Sequence, residues 1–305
     1  MFQYDNFTSN LENNIKMYYD WALLSIGAWN EVTIPTQQIY GGDYSRLRVV
    51  DDPNYNLGQV WETPKQNLVW DTNVVYTNHI GNPINPSNIG IPYIDSAPTS
   101  SNYYINYPQG QIVFDNPIPA SSTVQLSYPY RIVSVDIADG TPWWKALHSK
   151  WWRVDDTQFH QVGSGEWSLF GEHRIQMPSV IIESCFMGSS EGWELGTASR
   201  RAKREVRFHI YSESMTERNN LMDIIGLQSD RKIPLFNING ILFDDAFPIN
   251  YRGEKVNNLN YENFADITGY LMGVCLMEDA QIQNIRKIHP NLYGATVQTT
   301  ISFIG

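Results

Sequence analysis

The sequence predicts a mixed α+β fold that is rich in β-strands: an N-terminal helix, a β-sandwich or meander region, and then a mixed α+β domain. Short runs that alternate apolar and polar residues recur between Gly, Pro, Asn and Asp turns, as in antiparallel sheets. Two other segments carry apolar residues at helical spacing behind a Ser-x-x-Glu box. We expect domains at residues 1–30, 31–140 and 141–305, and the sequence contains no internal repeat.

The first predicted element is an amphipathic helix opened by the capping box Ser9-Asn10-Leu11-Glu12 and ending near Asn30. Its apolar stripe consists of Leu11, Ile15, Tyr18, Ala22, Ile26 and Trp29. Such a helix at a terminus packs on its own domain or docks on a neighbouring subunit, and the spacing does not separate the two.

The region from 31 to 140 predicts short strands around one long loop. Residues 67–70 and 72–77 are the first expected strands, and residues 78–102 form a loop with four prolines. Loops of that length are usually functional or stabilised by a partner. Residues 103–114 then predict a β-hairpin, and residues 123–130 alternate as a third strand.

The last region predicts strands interrupted by a second helix, which is opened by Ser214-Met215-Thr216-Glu217. The Asp139-Gly140-Thr141-Pro142 turn marks its start. The expected strands and turns are a strand at 179–186, a Gly-rich turn at 188–192, a strand at 205–211, an edge strand at 233–237, an Asn239-Gly240 hairpin turn into 241–243, and a closing strand at 295–304.

The amino-acid composition is typical of a protein with large interfaces or a β-rich core. Charged residues are 17% of the 305 positions, against about 25% in a typical domain, and aromatic residues are 13%. Tyr and Trp cover wide areas at interfaces, and they also form cross-strand pairs in β-rich cores. Both interpretations are compatible with the 18 Tyr and 10 Trp.

Net charge, apolar runs and cysteines indicate which partners and which cellular compartment the chain suits. A formal charge of −11 excludes a general nucleic-acid binder, because phosphate binding needs a positive field. No apolar run approaches the roughly 18 residues of a membrane span, so we expect a soluble chain without a membrane partner. Cys185 and Cys275 lie in apolar runs and predict buried, reduced thiols in a reducing cytoplasm.

Motifs for catalysis, metals and cofactors are weak, so we predict no enzyme and no cofactor. Residues 188–192 match the G-x-S-x-G nucleophile pattern around Ser190, but a strand is expected after them where that motif requires a helix. The six histidines have no metal-binding spacing, and His209 is expected half-exposed on a strand. Residues 51–56 are expected to form a turn and not a calcium loop, and residues 163–165 show no phosphate-binding context.

Five of the 21 basic residues fall within eight positions and form a candidate patch: Arg200, Arg201, Lys203, Arg204 and Arg207. Three interpretations stay open. The residues line a solvated hairpin arm, face an acidic neighbouring subunit, or contact DNA that passes nearby without sequence preference.

Four of the ten tryptophans fall within ten residues and form a candidate aromatic interface: Trp143, Trp144, Trp151 and Trp152. Adjacent residues on a strand point to opposite faces, so at most half of the four could share a sugar-stacking platform. A role in a core or an interface is therefore favoured over glycan binding.

Two regions are similar to virion proteins of tailed bacteriophages. Residues 104–119 with 124–130 resemble a module built of a strand, a glycine turn, a strand ending in Phe-Asp, a proline, and a strand ending in Tyr-x-Tyr. Residues 177–196, 204–210 and the following helix resemble the α+β unit of neck and tail-terminator proteins. The resemblance covers about two thirds of the chain in pattern and order.

The resemblance implies a structural subunit of the virion neck or tail that forms a ring of identical copies, a hexamer by the same resemblance, and is assembled in the host cytoplasm. Its partners would be further copies of itself and neighbouring neck, connector or tail-tube proteins, and the family has no catalytic residues to transfer. Simple tail terminators are about half as long, so residues 31–140 would be an added domain. A baseplate or tail-tip subunit, or a glycan-binding tail protein, is the alternative.

Overall fold

A computed structural model confirms the mixed α+β, β-rich fold class. It describes residues 7–34, 43–148, 159–169, 173–192, 200–243, 247–257, 260–261 and 269–304. The chain divides into two compact units. The meander unit holds residues 23–132 and 245–264, and the sheet unit holds residues 1–22, 133–244 and 265–305. The domain ranges expected from the sequence stay predictions.

Helix α1 (Phe7–Ser25) precedes the strands of the meander unit. These strands are β1 (Trp29–Val32), β2 (Arg48–Val50), β3 (Val60–Glu62), β4 (Tyr76–Thr77), β5 (Pro83–Ile84), β6 (Tyr93–Ile94), β7 (Ala97–Pro98), β8 (Tyr103–Asn106), β9 (Gln111–Phe114), β10 (Val124–Gln125) and β11 (Tyr128–Arg131). Its largest sheet has the order β2-β3-β9-β8.

The predicted hairpin at 103–114 is confirmed as antiparallel strands β8 and β9. Ile112 and Phe114 of β9 are fully buried in the core of the unit. Gly110 in the turn has φ of 62°, and a Cβ there would lie 2.5 Å from the hydroxyl of Thr63. Only glycine fits this turn without strain, which explains the Pro-Gln-Gly sequence.

The remaining elements of the sheet unit follow β11 in the chain. They are β12 (Ser134–Ile137), a 3₁₀ turn (Ala138–Gly140), α2 (Pro142–His148), β13 (Phe159–Gly163), β14 (Glu166–Leu169), β15 (His173–Gln176), β16 (Ser179–Gly192), β17 (Arg200–Ser212), α3 (Met215–Gly226), β18 (Lys232–Phe236), α4 (Ile238–Phe243), β19 (Leu271–His289) and β20 (Leu292–Ile304). Six of the strands form one sheet in the order β12-β16-β17-β20-β19-β18.

Apolar alternation builds both faces of this six-stranded sheet. Val206, Phe208 and Ile210 are fully buried, as the sequence predicts, and Phe208 contacts Tyr19 of α1 at 4.9 Å between ring centroids. On the opposite face, Tyr211 and Ile181 join a core cluster with the residues of α2 and of the β13-β14-β15 sheet. Burial on both faces makes the centre of the sheet the core of the unit.

Three predicted features of the sheet unit are confirmed. Ser214 caps α3, its hydroxyl accepting a hydrogen bond from the Glu217 N–H at 3.5 Å. The expected edge strand at 233–237 is β18, at the edge of the sheet. The closing strand at 295–304 is part of β20, which lies between β17 and β19.

Several boundaries predicted from the sequence are wrong. Helix α1 begins at Phe7, before the capping box, and ends at Ser25, where Gly27 adopts φ of 85°. Residues 67–70 contain only an isolated bridge at Leu68, and residues 72–77 keep only the two-residue strand β4. The expected loop at 78–102 contains the short strands β5, β6 and β7.

Two predicted turns are also wrong. Residues 188–192 continue strand β16, because its partner β17 begins at Arg200 and extends the ladder. The Asn239-Gly240 pair lies in helix α4 and not in a hairpin. Asn237 starts that helix, because its side-chain oxygen accepts from the Gly240 N–H at 3.1 Å.

Candidate functional site

The predicted basic patch lies on one strand, β17, and is divided between its two faces. Arg201, Lys203 and Arg207 alternate onto one face, and Arg204 lies on the other. Arg200 pairs through its backbone with Gly192, and its side chain lies outside the described part of the chain. The five residues therefore do not form one continuous surface.

Carboxylates of the same sheet pair with the basic residues. Glu278 of β19 forms ion pairs with Arg201 and with Lys203, the latter at 3.7 Å, and Glu205 pairs with Arg207 at 2.8 Å. Burial acts to raise the pKa of Glu278, but hydrogen bonds from Ser302 and Arg201 outweigh it and lower that pKa. These pairs reduce the positive field that contact with DNA would need.

The Arg204 side chain lies on the face of the sheet that packs against α1. Its guanidinium lies 5.7 Å from the ring centroid of Phe7 and donates to the carbonyl of Lys203 at 2.9 Å. A cation over an aromatic ring contributes packing as well as charge. Arg204 therefore holds the start of α1 on the sheet.

The predicted aromatic interface is partly core. Trp143 and Trp144 lie in α2 and not on a strand, and each is 7% exposed. The Trp143 ring meets Tyr211 edge to face at 5.3 Å. Trp151 and Trp152 lie outside the described residues. Two of the four rings are thus unavailable to a sugar ligand.

A polar cluster that the sequence does not reveal lies beside α2. The expectation that His209 is half-exposed is wrong, because the residue is 6% exposed. Its Nε2 lies 2.9 Å from a carboxylate oxygen of Glu183, and its Nδ1 lies 3.3 Å from the Thr296 hydroxyl. His148 contacts the Tyr211 hydroxyl at 2.6 Å, and its ring lies 5.0 Å from that of His209.

Burial and neighbouring charge set the protonation of this cluster. Burial lowers the pKa of His148 to about 4, and the adjacent His209 and Arg286 act in the same direction. The hydrogen bond from His209 lowers the pKa of Glu183 against the effect of burial. At neutral pH, His148 is therefore uncharged and Glu183 is a carboxylate.

The order Thr296–His209–Glu183 has the hydroxyl, imidazole and carboxylate of a nucleophile relay. Thr296 is only 7% exposed and lies in the middle of β20. A buried hydroxyl within a strand ladder cannot approach a substrate carbonyl. The cluster therefore stabilises the contact between the sheet and α2, and the register that joins its residues is invisible in the sequence.

The other sequence candidates contain no reactive group in the described part of the chain. Ser190 lies within β16, opposite Ala202, where a nucleophile elbow would require a strand-to-helix turn. Cys275 is buried as expected, whereas Cys185 is only partly buried. Burial raises the pKa of both thiols to about 12, which disfavours the reactive thiolate. The described residues include no metal-binding group of three or more His, Cys, Asp or Glu, and no helix long and apolar enough to cross a membrane.

One edge of the six-stranded sheet carries a cleft, and we call it the cleft edge. The cleft has a volume of about 590 Å³ and lies between α1, β12 and the 3₁₀ turn. Its lining includes Glu12, Asp136, Asp139 and Ser184. Glu12 accepts a hydrogen bond from the Ser184 N–H at 3.1 Å, where β16 extends beyond the short strand β12.

The opposite edge is the outer side of residues 281–289 in β19, and we call it the hairpin edge. Strand β18 pairs with β19 only from Leu271 to Leu276, and no other described strand covers the remainder. Ile282 and Ile285 are 48% and 56% exposed. Apolar side chains on an open strand edge are unfavourable in an isolated molecule and become favourable when a partner covers them.

Sequence reasoning did not single out either edge, because strand order decides which residues lie there. Residues 281–289 contain no turn signal, but nothing in their spacing shows that they lie at the edge of a sheet. The two edges together are the candidate functional site, an interaction surface without catalytic geometry. Searches of protein-family models, curated proteins and solved structures found no match to this chain.

Proposed function

We propose that the chain is a structural subunit of a tailed-bacteriophage virion, a ring-forming protein of the neck or tail-terminator type that joins head or connector to tail. Its function is to bind further copies of itself and adjacent neck, connector or tail-tube proteins. It performs no bond chemistry in this account.

The observation that carries the proposal is the pair of open edges on one sheet. The cleft edge lies on β12, the first strand of the order β12-β16-β17-β20-β19-β18, and the hairpin edge lies on the part of β19 that β18 does not cover. When two different surfaces of one subunit bind each other, the contact is head-to-tail, and repeated contacts close into a ring or continue as a filament. A ring is the form that a head–tail junction requires.

The side chains of the sheet unit give further support. Exposed apolar residues lie near the β18–β19 edge as well, including Leu271 and Val274 at 45% and 47% exposure. In the polar cluster around His209, both ring nitrogens of His209 have polar partners, and the Thr296 hydroxyl is buried within a strand. Exposed apolar side chains that a partner could cover, together with a polar cluster whose hydroxyl is buried, favour assembly over catalysis.

Labelling the protein in purified phage particles tests the proposal. Particles that carry the chain with a small C-terminal epitope tag would be decorated with antibody and viewed by negative-stain electron microscopy. We expect the label at the head–tail junction. Phage particles that carry the untagged chain serve as the control. Label at the distal end of the tail would support the baseplate alternative, and particles free of the protein would contradict a virion role.

A further inference from the structure

We propose that the hairpin edge of one copy docks into the cleft of the next copy, with Ile285 and Lys287 as the inserted side chains. This inference rests on the proposed function, because it names the contact by which the ring would form. It concerns residues of the sheet unit alone. The partner is a second copy of this chain.

The two surfaces lie on opposite sides of the same sheet. One row of paired residues crosses it from Ile137 of β12 through Ile182, Phe208 and Val297 to Ile282 of β19. Ile137 lines the cleft at one end of this row, and Ile282 is 48% exposed at the other. Ile285 and Lys287 follow Ile282 along β19 toward its turn into β20, so a neighbour in the plane of the sheet brings them to the cleft when it is shifted by about 10–17 Å along the strands.

The backbone of the hairpin edge is unsuited to plain strand addition. The pairing of β19 with β20 shifts register three times, between Glu278 and Gln281, Gln283 and Arg286, and Lys287 and His289. Such irregularities break the even row of backbone donors and acceptors that strand addition uses. Side chains must therefore supply most of the contact.

The side chains of the hairpin edge fit an acidic, partly apolar cleft. Ile285 is 56% exposed, and Arg286 and Lys287 are exposed next to it. The Arg286 side chain hydrogen-bonds the Tyr211 hydroxyl of its own sheet. Within the described part of the chain, the contact of the Lys287 ammonium is with the Tyr293 ring, at 5.5 Å from its centroid. Lys287 can therefore reach a neighbouring carboxylate at little cost.

The cleft contains groups that such a cation would stabilise. Burial raises the pKa of Glu12, and the charges of Asp139 and Glu183 raise it further against the hydrogen bond from Ser184. The Ser184 hydroxyl oxygen is buried without a hydrogen-bond partner in the described part of the chain. An ammonium beside Glu12 would offset the repulsion between carboxylates and donate to this hydroxyl.

The size and the remaining charges of the cleft are consistent with this occupant. Its volume of about 590 Å³ lies within the range of about 300–1,000 Å³ of sites that bury a small ligand, so two or three side chains fit. Asp136 already pairs with Lys16 at 3.0 Å. Asp139, whose side chain is 95% exposed, pairs with Lys145 at 3.2 Å. Among the described residues, Glu12 is the carboxylate of the cleft that forms no ion pair, so the incoming charge belongs there.

Two variants test the contact, each changing one surface. The hairpin variant is Ile285→Ser with Lys287→Ser, which removes the apolar and charged groups without adding a charge, and the cleft variant is Ser9→Arg with Asp139→Lys, which adds bulk and reverses charge at the cleft. All four side chains are exposed or partly exposed, so both variants should fold, which circular dichroism and thermal unfolding would verify. The control is Asp223→Lys, an exposed site on α3.

Light scattering after size-exclusion chromatography would then be measured for each protein and for mixtures. We expect oligomers from the wild type and the control, and monomers from each variant alone. A mixture of the two variants should give a 1:1 dimer and nothing larger, because one intact hairpin edge meets one intact cleft. This dimer distinguishes a head-to-tail contact from a symmetric one.

Two results would overturn the inference. If both variants assemble as the wild type does, the ring is built through other surfaces, and the proposed function stands without this contact. If each variant is monomeric and the mixture is monomeric as well, the two surfaces do not bind each other. A wild type that stays monomeric throughout would instead contradict the ring-forming function itself.

Discussion

Glu213 is a single acceptor on which three donors converge, and its removal gives the sharpest test of the packing in the sheet unit. Its Oε1 accepts from the Gln161 side chain at 2.9 Å, the Gly165 N–H at 2.9 Å and the Trp167 indole at 2.7 Å. Trp167 is 1% exposed, so its N–H cannot turn to water when the acceptor is lost.

The expected loss follows from these partners. A buried donor left without an acceptor costs about 1–3 kcal/mol, and a hydrogen bond to a charged group contributes about 1.5–3 kcal/mol. Gln161 is part-exposed and can bind water, so the three contributions do not add in full. We expect Glu213→Ala to lower the free energy of unfolding by about 3 kcal/mol, and Glu213→Gln, which keeps the oxygen, by about 1 kcal/mol.

Urea denaturation followed by near-ultraviolet circular dichroism would measure both variants, with the slopes compared to verify that the unfolded states match. Asp223→Asn on α3 is the control, since an exposed carboxylate should change stability by less than about 0.5 kcal/mol. A Glu213→Ala protein within about 0.5 kcal/mol of the wild type would refute the reasoning, and so would equal losses in the Ala and Gln variants.

Three further outcomes follow from the site. The pKa of His148 falls from 6.5 to about 4 on folding, so between these pH values the folded state binds fewer protons than the unfolded state. The free energy of unfolding should therefore fall by about 1–2 kcal/mol from pH 6.5 to pH 4. Thermal unfolding would measure this loss, which should be smaller in His148→Phe. Glu278→Gln removes the negative charge that pairs with Arg201 and Lys203 and should therefore lengthen retention on heparin at low salt, whereas unchanged retention would contradict the ion pairing. Cys275 should react with a thiol reagent about 10³-fold more slowly in the folded protein than after denaturation, and a fast native reaction would contradict its burial.

The elements with strong local signals could be predicted from the sequence. Alternation at Val206, Phe208 and Ile210 and the Ser214 cap each follow from one segment of the chain, and both are confirmed. The hairpin at 103–114 is confirmed for the same reason, since its turn chemistry and alternation lie close together in sequence.

The elements that depend on distant partners could not be predicted. The Asn239-Gly240 pair favours a hairpin by itself, but Asn237 caps a helix at this position and α4 forms instead. Residues 188–192 favour a turn, yet pairing with β17 extends them as a strand. Local preference is a weak constraint where a long-range ladder competes with it.

The candidate site was the least accessible to sequence reasoning. His209 was expected half-exposed because the alternation of β17 places it on the face of Arg207, but α2 and Glu183 cover it. The two sheet edges are defined by the order of six strands that are distant in sequence. No spacing rule within a segment reveals which strands lie at an edge.

Native mass spectrometry of the purified chain at micromolar concentration tests the central claim most directly, since it reports how many 35.0 kDa subunits associate. We expect one closed assembly with a single defined number of copies, as a head-to-tail ring requires. A chain that remains at the mass of one subunit at every concentration would contradict it.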